Sequence, residues 1–291
     1  MIRLAYDGSY DWGFVAGWLA ARTIAGVDTV TADGAYVRAI NFDGEPATLE
    51  VRASDRSELL ATIRSAGAPA PPLVVDRVRR MFDLDADLAV INAHLATDPL
   101  LAPLIARRPG LRVPGAWDGY ELAVRAVLGQ QISVGAASKL AGRLVERFGA
   151  PLPLGVSEEP AVHRAFPLPH VLAEADVASL GMPRARAASV HAVARAAAND
   201  PSFFEPTHDL ERAIERLRSL PGIGEWTANY IAMRALREPD AFPAADVGLM
   251  RALARDGVRP SWREVLARSQ RWRPFRAYAA LHLWAADGDR P

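Results

Sequence analysis

Three parts of this 291-residue chain hold residue types and spacings that can do chemistry. The first is Leu220-Pro221-Gly222-Ile223-Gly224-Glu225-Trp226-Thr227-Ala228-Asn229-Tyr230, flanked by helical patterns. Gly222 and Gly224 supply backbone freedom and remove side chains. A tight hairpin there exposes successive N–H groups beside a helix N-terminus, which suits an anion, and the natural anion is a DNA phosphate. Such contacts position a protein on DNA without reading sequence. A plain turn between two helices uses the same residues. The second is Asp246, after a Pro-containing loop (Phe242-Pro243-Ala244-Ala245) and before a helical run. An Asp in that place is ordinarily a helix N-cap, and a helix N-terminus also favours its ionised form. The third is aromatic. Trp226 and Tyr230 are spaced i, i+4 and share a helix face, while Trp284 lies on the last predicted helix. Aromatics so spaced either fill a core or line a pocket.

The elements that must hold these residues fall into two kinds. The first ~85 residues read as mixed α and β. Residues 36–40 and 47–52 are predicted strands joined by an Asp43-Gly44 hairpin turn, and residues 12–23 and 57–66 are predicted helices. Ala68-Pro69-Ala70-Pro71-Pro72 reads as a linker. Beyond Val74 the pattern is helical: 75–82, 88–97, 120–128, 134–148, 184–198, 210–220, 225–236, 247–254, 263–269 and 275–286. Leu210, Ala213, Ile214, Leu217 and Leu220 mark one apolar face, and Ser261 with Glu264 forms a capping box.

Composition narrows the chemistry. There is no cysteine, which excludes disulfides, a cysteine nucleophile and a cysteine-ligated iron–sulfur cluster. The six histidines lack metal-ligand spacing, and His282 is read as a packed residue. Net charge is zero, but the first 88 residues hold an excess of acids and the remainder an excess of cations. A DNA surface is therefore expected in the later part. Nearly all cations are arginine, and Lys139 is the sole lysine. No apolar stretch is long enough to span a bilayer. Met1 to Tyr10 shows no signal-peptide pattern, so a cytoplasmic location is expected.

The hairpin pattern, followed about twenty residues later by Asp246, resembles the helix–hairpin–helix DNA glycosylase superfamily, and within it 3-methyladenine DNA glycosylase II. The likeness extends over nearly the whole chain. It includes Tyr10-Asp11-Trp12, Met81-Phe82-Asp83-Leu84, Arg108-Pro109-Gly110-Leu111-Arg112, Val127-Leu128-Gly129-Gln130-Gln131-Ile132-Ser133-Val134 and Leu281-His282-Leu283-Trp284. It implies an α+β fold: an N-terminal TATA-binding-protein-like α/β domain followed by a two-lobed, all-helical glycosylase body. The expected division is residues 1–85, then a lobe of 86–115 plus 239–291 carrying the Asp, and a lobe of 116–238 carrying the hairpin.

The resemblance further implies that Asp246 is the essential carboxylate, facing the positive charge that builds on a sugar as its glycosidic bond breaks. Trp226, Tyr230 and Trp284 are then the substrate-binding aromatics. A base alkylated at N3 or N7 is cationic and is attracted by electron-rich rings. Such a base is already an activated leaving group and needs no general acid. Gly222, Ile223 and Gly224 would grip DNA, and Gln130 and Gln131 match the loop that fills the gap left by a flipped base. Relatives place an aliphatic side chain where this chain has Gln131. Val247 and Ala285 replace aromatics that some relatives carry, which implies a wider pocket. The carbonyls of Arg218, Leu220 and Ile223 match a monovalent cation site, for Na+ or K+, and no other cofactor is expected. Where relatives that also cut the backbone carry a lysine, this chain has Trp226, which predicts a glycosylase without lyase chemistry. The expected partner is double-stranded DNA containing alkylated bases, engaged by a monomer. Two alternatives remain open: a same-fold glycosylase for deaminated or oxidised bases, and a non-catalytic damaged-DNA binding protein.

Overall fold

The computed structural model describes residues 1–42, 45–66, 72–206 and 209–288. Alternating apolar residues near the N-terminus build an antiparallel sheet from β1 (Ile2–Ala5), β2 (Asp28–Val30), β3 (Tyr36–Phe42), β4 (Glu45–Ala53) and β5 (Glu58–Ser65), in the order β1-β5-β4-β3-β2. The helix α1 (Trp12–Ala20) lies between β1 and β2 in sequence, and α2 (Pro72–Met81) follows β5. Leu49, Val51, Leu59 and Ala61 of the sheet pack with Val15 and Leu19 of α1 and Val74, Val78 and Met81 of α2.

The predicted helix over residues 57–66 is strand β5 instead. Leu59 pairs with Leu4 of β1 and with Ala53 of β4, so β5 is an inner strand saturated on both edges. Its buried residues, Leu59 and Ala61, alternate at the strand period. Tertiary pairing overrides a local preference that suits a helix. The Asp43-Gly44 turn lies outside the described residues. So does the linker except Pro72, which opens α2.

The rest is helical: α3 (Leu88–Leu95), α4 (Ala102–Arg107), α5 (Gly119–Leu128), α6 (Val134–Phe148), α7 (Pro169–Glu174), α8 (Arg184–Asn199), α9 (Leu210–Arg218), α10 (Glu225–Arg234), α11 (Val247–Ala252), α12 (Trp262–Ser269) and α13 (Arg276–Gly288). Helix starts carry side-chain caps, the predicted capping box among them. Ser133 caps α6 through Ala136 N, and Ser261 with Glu264 closes a capping box on α12. The six-residue helices α4 and α7 and strands β1 and β2 escape sequence reading, being too short to show a period. α5 packs on α6, α8 and α10, and α10 on α9, while α13 packs on α11 and α4. A second core runs through these helices and takes in Val37 and Ala39 of the sheet. The sheet is further tied to the helices by the buried Arg38–Glu121 ion pair and by Thr48 Oγ1 donating to the Val156 carbonyl at 2.6 Å. This docking sets α1 against the helical body, and α1 reaches the site described next. Among the described residues no helix is long and apolar enough to cross a membrane.

Candidate active site

The hairpin forms between α9 and α10. Gly222 has φ +80°, and a Cβ there would sit 1.9 Å from Ser189 Oγ, so both conformation and space demand glycine. Ile223, 5% exposed, anchors the turn in the core. Gly224 is the N-cap of α10 and has no side-chain cap, leaving the first-turn N–H groups without a side-chain partner. A Cβ at Gly224 would meet nothing within 4 Å, so the protein itself does not require glycine there. Arg218 and Glu225 close the hairpin with an ion pair at 3.0 Å.

Asp246 is the N-cap of α11, as its position predicts. Its Oδ1 accepts from Leu249 N at 2.9 Å and from Trp284 Nε1 at 2.9 Å, and its Oδ2 accepts from Trp226 Nε1 at 2.9 Å. The carboxylate is thus held by one cap and two indoles from α10 and α13. Oδ2 retains a lone pair, since a carboxylate oxygen can accept twice. Gly248 makes this approach feasible: a Cβ there would lie 2.9 Å from Asp246 Oδ1 and 3.3 Å from Trp284.

Asp246 faces a cleft of about 780 Å³ lined by Trp18, Arg22, Trp226, Tyr230 and Trp284 among others. Trp226 and Tyr230 stack, with centroids 5.2 Å apart and planes 9° from parallel. Tyr230 meets Trp284 edge-on at 6.4 Å, and Trp284 lies 5.6 Å from Trp18. The three predicted aromatics therefore do converge, but the two tryptophans also orient the carboxylate through their N–H groups. Ala285 lines the cleft, whereas Val247 is exposed and lies outside the lining. His282 is buried, and burial pushes its imidazole down to about 4, which keeps it neutral.

Cations also line this cleft, Arg22 and Arg234 among them. Arg22 lies over the Trp18 ring with Cζ 3.5 Å from the centroid, and Arg234 donates to the Tyr230 hydroxyl at 2.6 Å. Burial would push the Tyr230 phenol up, but the Arg234 and Arg22 guanidiniums outweigh it and hold the pKa below the usual tyrosine value. Sequence reasoning passes over Trp18, Arg22, Arg234 and Gly248. A signal existed for the first two: Phe14, Trp18 and Arg22 are spaced i, i+4, i+8 along α1 and its end.

The loop before α6 divides its labour. Gln130 Nε2 donates to the Gly222 carbonyl at 2.9 Å and to Thr227 Oγ1 at 3.1 Å, binding this loop to the hairpin. Gln131 is exposed with φ +59°, beside the exposed Ile132. Lys139 is exposed on α6 and outside the cleft lining. Among the described residues no group of three or more His, Asp or Glu could hold a metal ion. At the hairpin, the Leu220 carbonyl accepts from Ile223 N at 3.1 Å.

Comparison with known proteins accords with this geometry. Residues 1–118 match the AlkA N-terminal domain, and residues 124–275 match the HhH-GPD superfamily base excision DNA repair protein family. The chain is 34% identical to DNA-3-methyladenine glycosylase 2 of Escherichia coli over 296 aligned positions, covering 100% of this chain and 99% of that protein. It is 38% identical to a Mycobacterium tuberculosis protein named "Probable bifunctional transcriptional activator/DNA repair enzyme AlkA". That match covers 97% of this chain and 56% of the relative, so the chain spans about half the length of that relative. The fold matches a 3-methyladenine DNA glycosylase from Archaeoglobus fulgidus with a TM-score of 0.84, at 22% identity and over 99% of both chains. With both domains matched in order and the E. coli relative aligned end to end, the chain belongs to the 3-methyladenine DNA glycosylase II family within the HhH-GPD superfamily of base excision DNA repair proteins.

Proposed function

We propose that this chain is a monofunctional DNA glycosylase that hydrolyses the N-glycosidic bond of alkylated bases, 3-methyladenine and 7-methylguanine, in duplex DNA. The observation that carries the reading is the Asp246 carboxylate, fixed by three donors at the edge of an aromatic cleft. As the C1′–N bond breaks, its electron pair goes to the base, and a base that enters cationic departs neutral. Positive charge then grows on the sugar, and a preorganised carboxylate stabilises it without reorganising. The spare lone pair on Oδ2 is available to the water that adds at C1′.

The hairpin N–H groups and Gly224 would take a DNA phosphate. Gln131, or the exposed Ile132 beside it, would fill the flipped base's place, and Gln130 holds their loop to the hairpin. The carbonyls of Arg218, Leu220 and Ile223 would hold Na+ or K+. The Leu220 oxygen accepts one backbone bond and keeps a second lone pair that an ion could use. No amine lines the cleft at position 226, and Trp226 is already bonded to Asp246. A Schiff base, and with it strand cleavage, is therefore not expected. We further propose that the chain acts as a monomer.

Incubation with methylated duplex DNA should release 3-methyladenine and 7-methylguanine, leave the strand intact, and give no borohydride-trapped adduct. An adduct would overturn the monofunctional reading. DNA binding without base release would favour a non-catalytic damage reader.

A further inference from the structure

The mechanism above makes no use of Arg22, yet Arg22 sits inside the cleft. Its guanidinium lies 3.5 Å from the Trp18 centroid, in the position a planar base would take on that ring. Its other partners are the Trp18 carbonyl, to which Nη1 donates at 3.1 Å, and the Tyr230 hydroxyl. Among the described residues it has no carboxylate in ion-pair distance. Its cationic neighbours are otherwise engaged. Arg125 pairs with Glu121 at 3.1 Å, Arg251 with Asp287 at 2.6 Å, and Arg234 donates to the Pro114 and Gly115 carbonyls. Desolvation pulls Arg22 below the usual arginine value, which marks a charge held at a cost.

We propose that Arg22 is a specificity-determining residue that discriminates bound bases by their charge, shifting the preference of the aromatic cleft away from cationic bases and toward neutral ones with acceptor atoms. This rests on the glycosylase reading above. The electron pair of the breaking bond separates the two classes of base. A neutral purine leaves as an anion when its C1′–N bond breaks, and Arg22 can donate a charge-assisted hydrogen bond to its N7 or O6. A cationic base leaves neutral and needs no donor, and before cleavage it is repelled by the guanidinium. Measured from free enzyme to transition state, Arg22 therefore helps the neutral base and hinders the cationic one. Measured from the bound state alone, it helps both, because both reactions move electrons onto the base.

Single-turnover excision should be measured from two duplexes, one carrying a single 7-methylguanine (cationic) and one a single hypoxanthine (neutral). Arg22→Met should raise the cationic-to-neutral ratio of kcat/KM on the order of 10- to 100-fold, the size of one charge-assisted hydrogen bond. The maximal rate should fall for both substrates. Arg22→Lys should return the ratio toward wild type. Loss of folded protein lowers both rates and cancels in the ratio, so misfolding cannot imitate the effect. Equal changes in kcat/KM for the two substrates, or no rescue by lysine, would overturn the proposal while leaving the glycosylase reading intact. Failure of the wild type to release either base would defeat that reading, and this proposal with it.

Discussion

Asp246 and Arg22 line one cleft and are held in opposite ways. Asp246 takes a helix-cap N–H and two indole N–H groups from elements packed in the same core, so its position is fixed before substrate arrives. Arg22 lies on an aromatic ring, a carbonyl and the Tyr230 hydroxyl, with no carboxylate in ion-pair distance among the described residues, just past the end of a helix contributed by the N-terminal domain. A preorganised charge suits the step common to every substrate, the growth of positive charge on the sugar. A charge without a carboxylate partner suits the part that differs between substrates, the base. On the proposed roles, chemistry and selectivity fall to different elements.

That contrast can be broken first at Gly248. In Gly248→Ala the new methyl would press on Asp246 Oδ1 and Trp284, from 2.9 and 3.3 Å. Displacing a catalytic group by about 1 Å costs up to about 100-fold. The maximal excision rate should fall by that order for all lesions alike, with affinity for undamaged DNA unchanged. A change in lesion preference instead would show that the two residues are not independent. Trp226→Phe is gentler. It keeps the ring stacked on Tyr230 but removes the donor to Oδ2, and one hydrogen bond to a charged group is worth about tenfold in rate. Stopped-flow excision should show that loss with lesion ratios preserved.

The smallest effect should come from Gly224→Ala, which touches neither residue. No protein atom lies within 4 Å of the added Cβ, so thermal stability should hold. Affinity for damaged and undamaged duplexes should drop together, by about threefold to tenfold, if a phosphate approaches there. Gly222→Ala provides the contrast. With φ +80° and Ser189 Oγ 1.9 Å away, it should lower the melting temperature as well. Equal melting temperatures for the two variants would contradict this division.

How legible each part was follows from where its determinants lie. Helix α6 was readable to its bounds, because its apolar residues repeat at helical spacing. Asp246, Trp226 and Tyr230 were readable because the hairpin motif and its following Asp are nearly contiguous. Strand β5 was not, since Leu59 and Ala61 become a strand only by pairing with β1 and β4. The cationic part was not, because Arg22 and Trp18 meet Tyr230 and Trp284 only after the sheet docks on the helical body. The double duty of the tryptophans, stacking and holding the carboxylate, depends on side-chain orientation that spacing alone does not encode.

The most direct test of the central claim compares base release from methylated duplex DNA by the wild type and by Asp246→Asn. The substitution keeps the side chain's size and can still cap α11, but removes the charge facing the sugar. The account predicts release of 3-methyladenine and 7-methylguanine by the wild type, a loss of about 1,000-fold or more in the variant, and unchanged affinity for DNA. Release by Asp246→Asn within tenfold of wild type would contradict it.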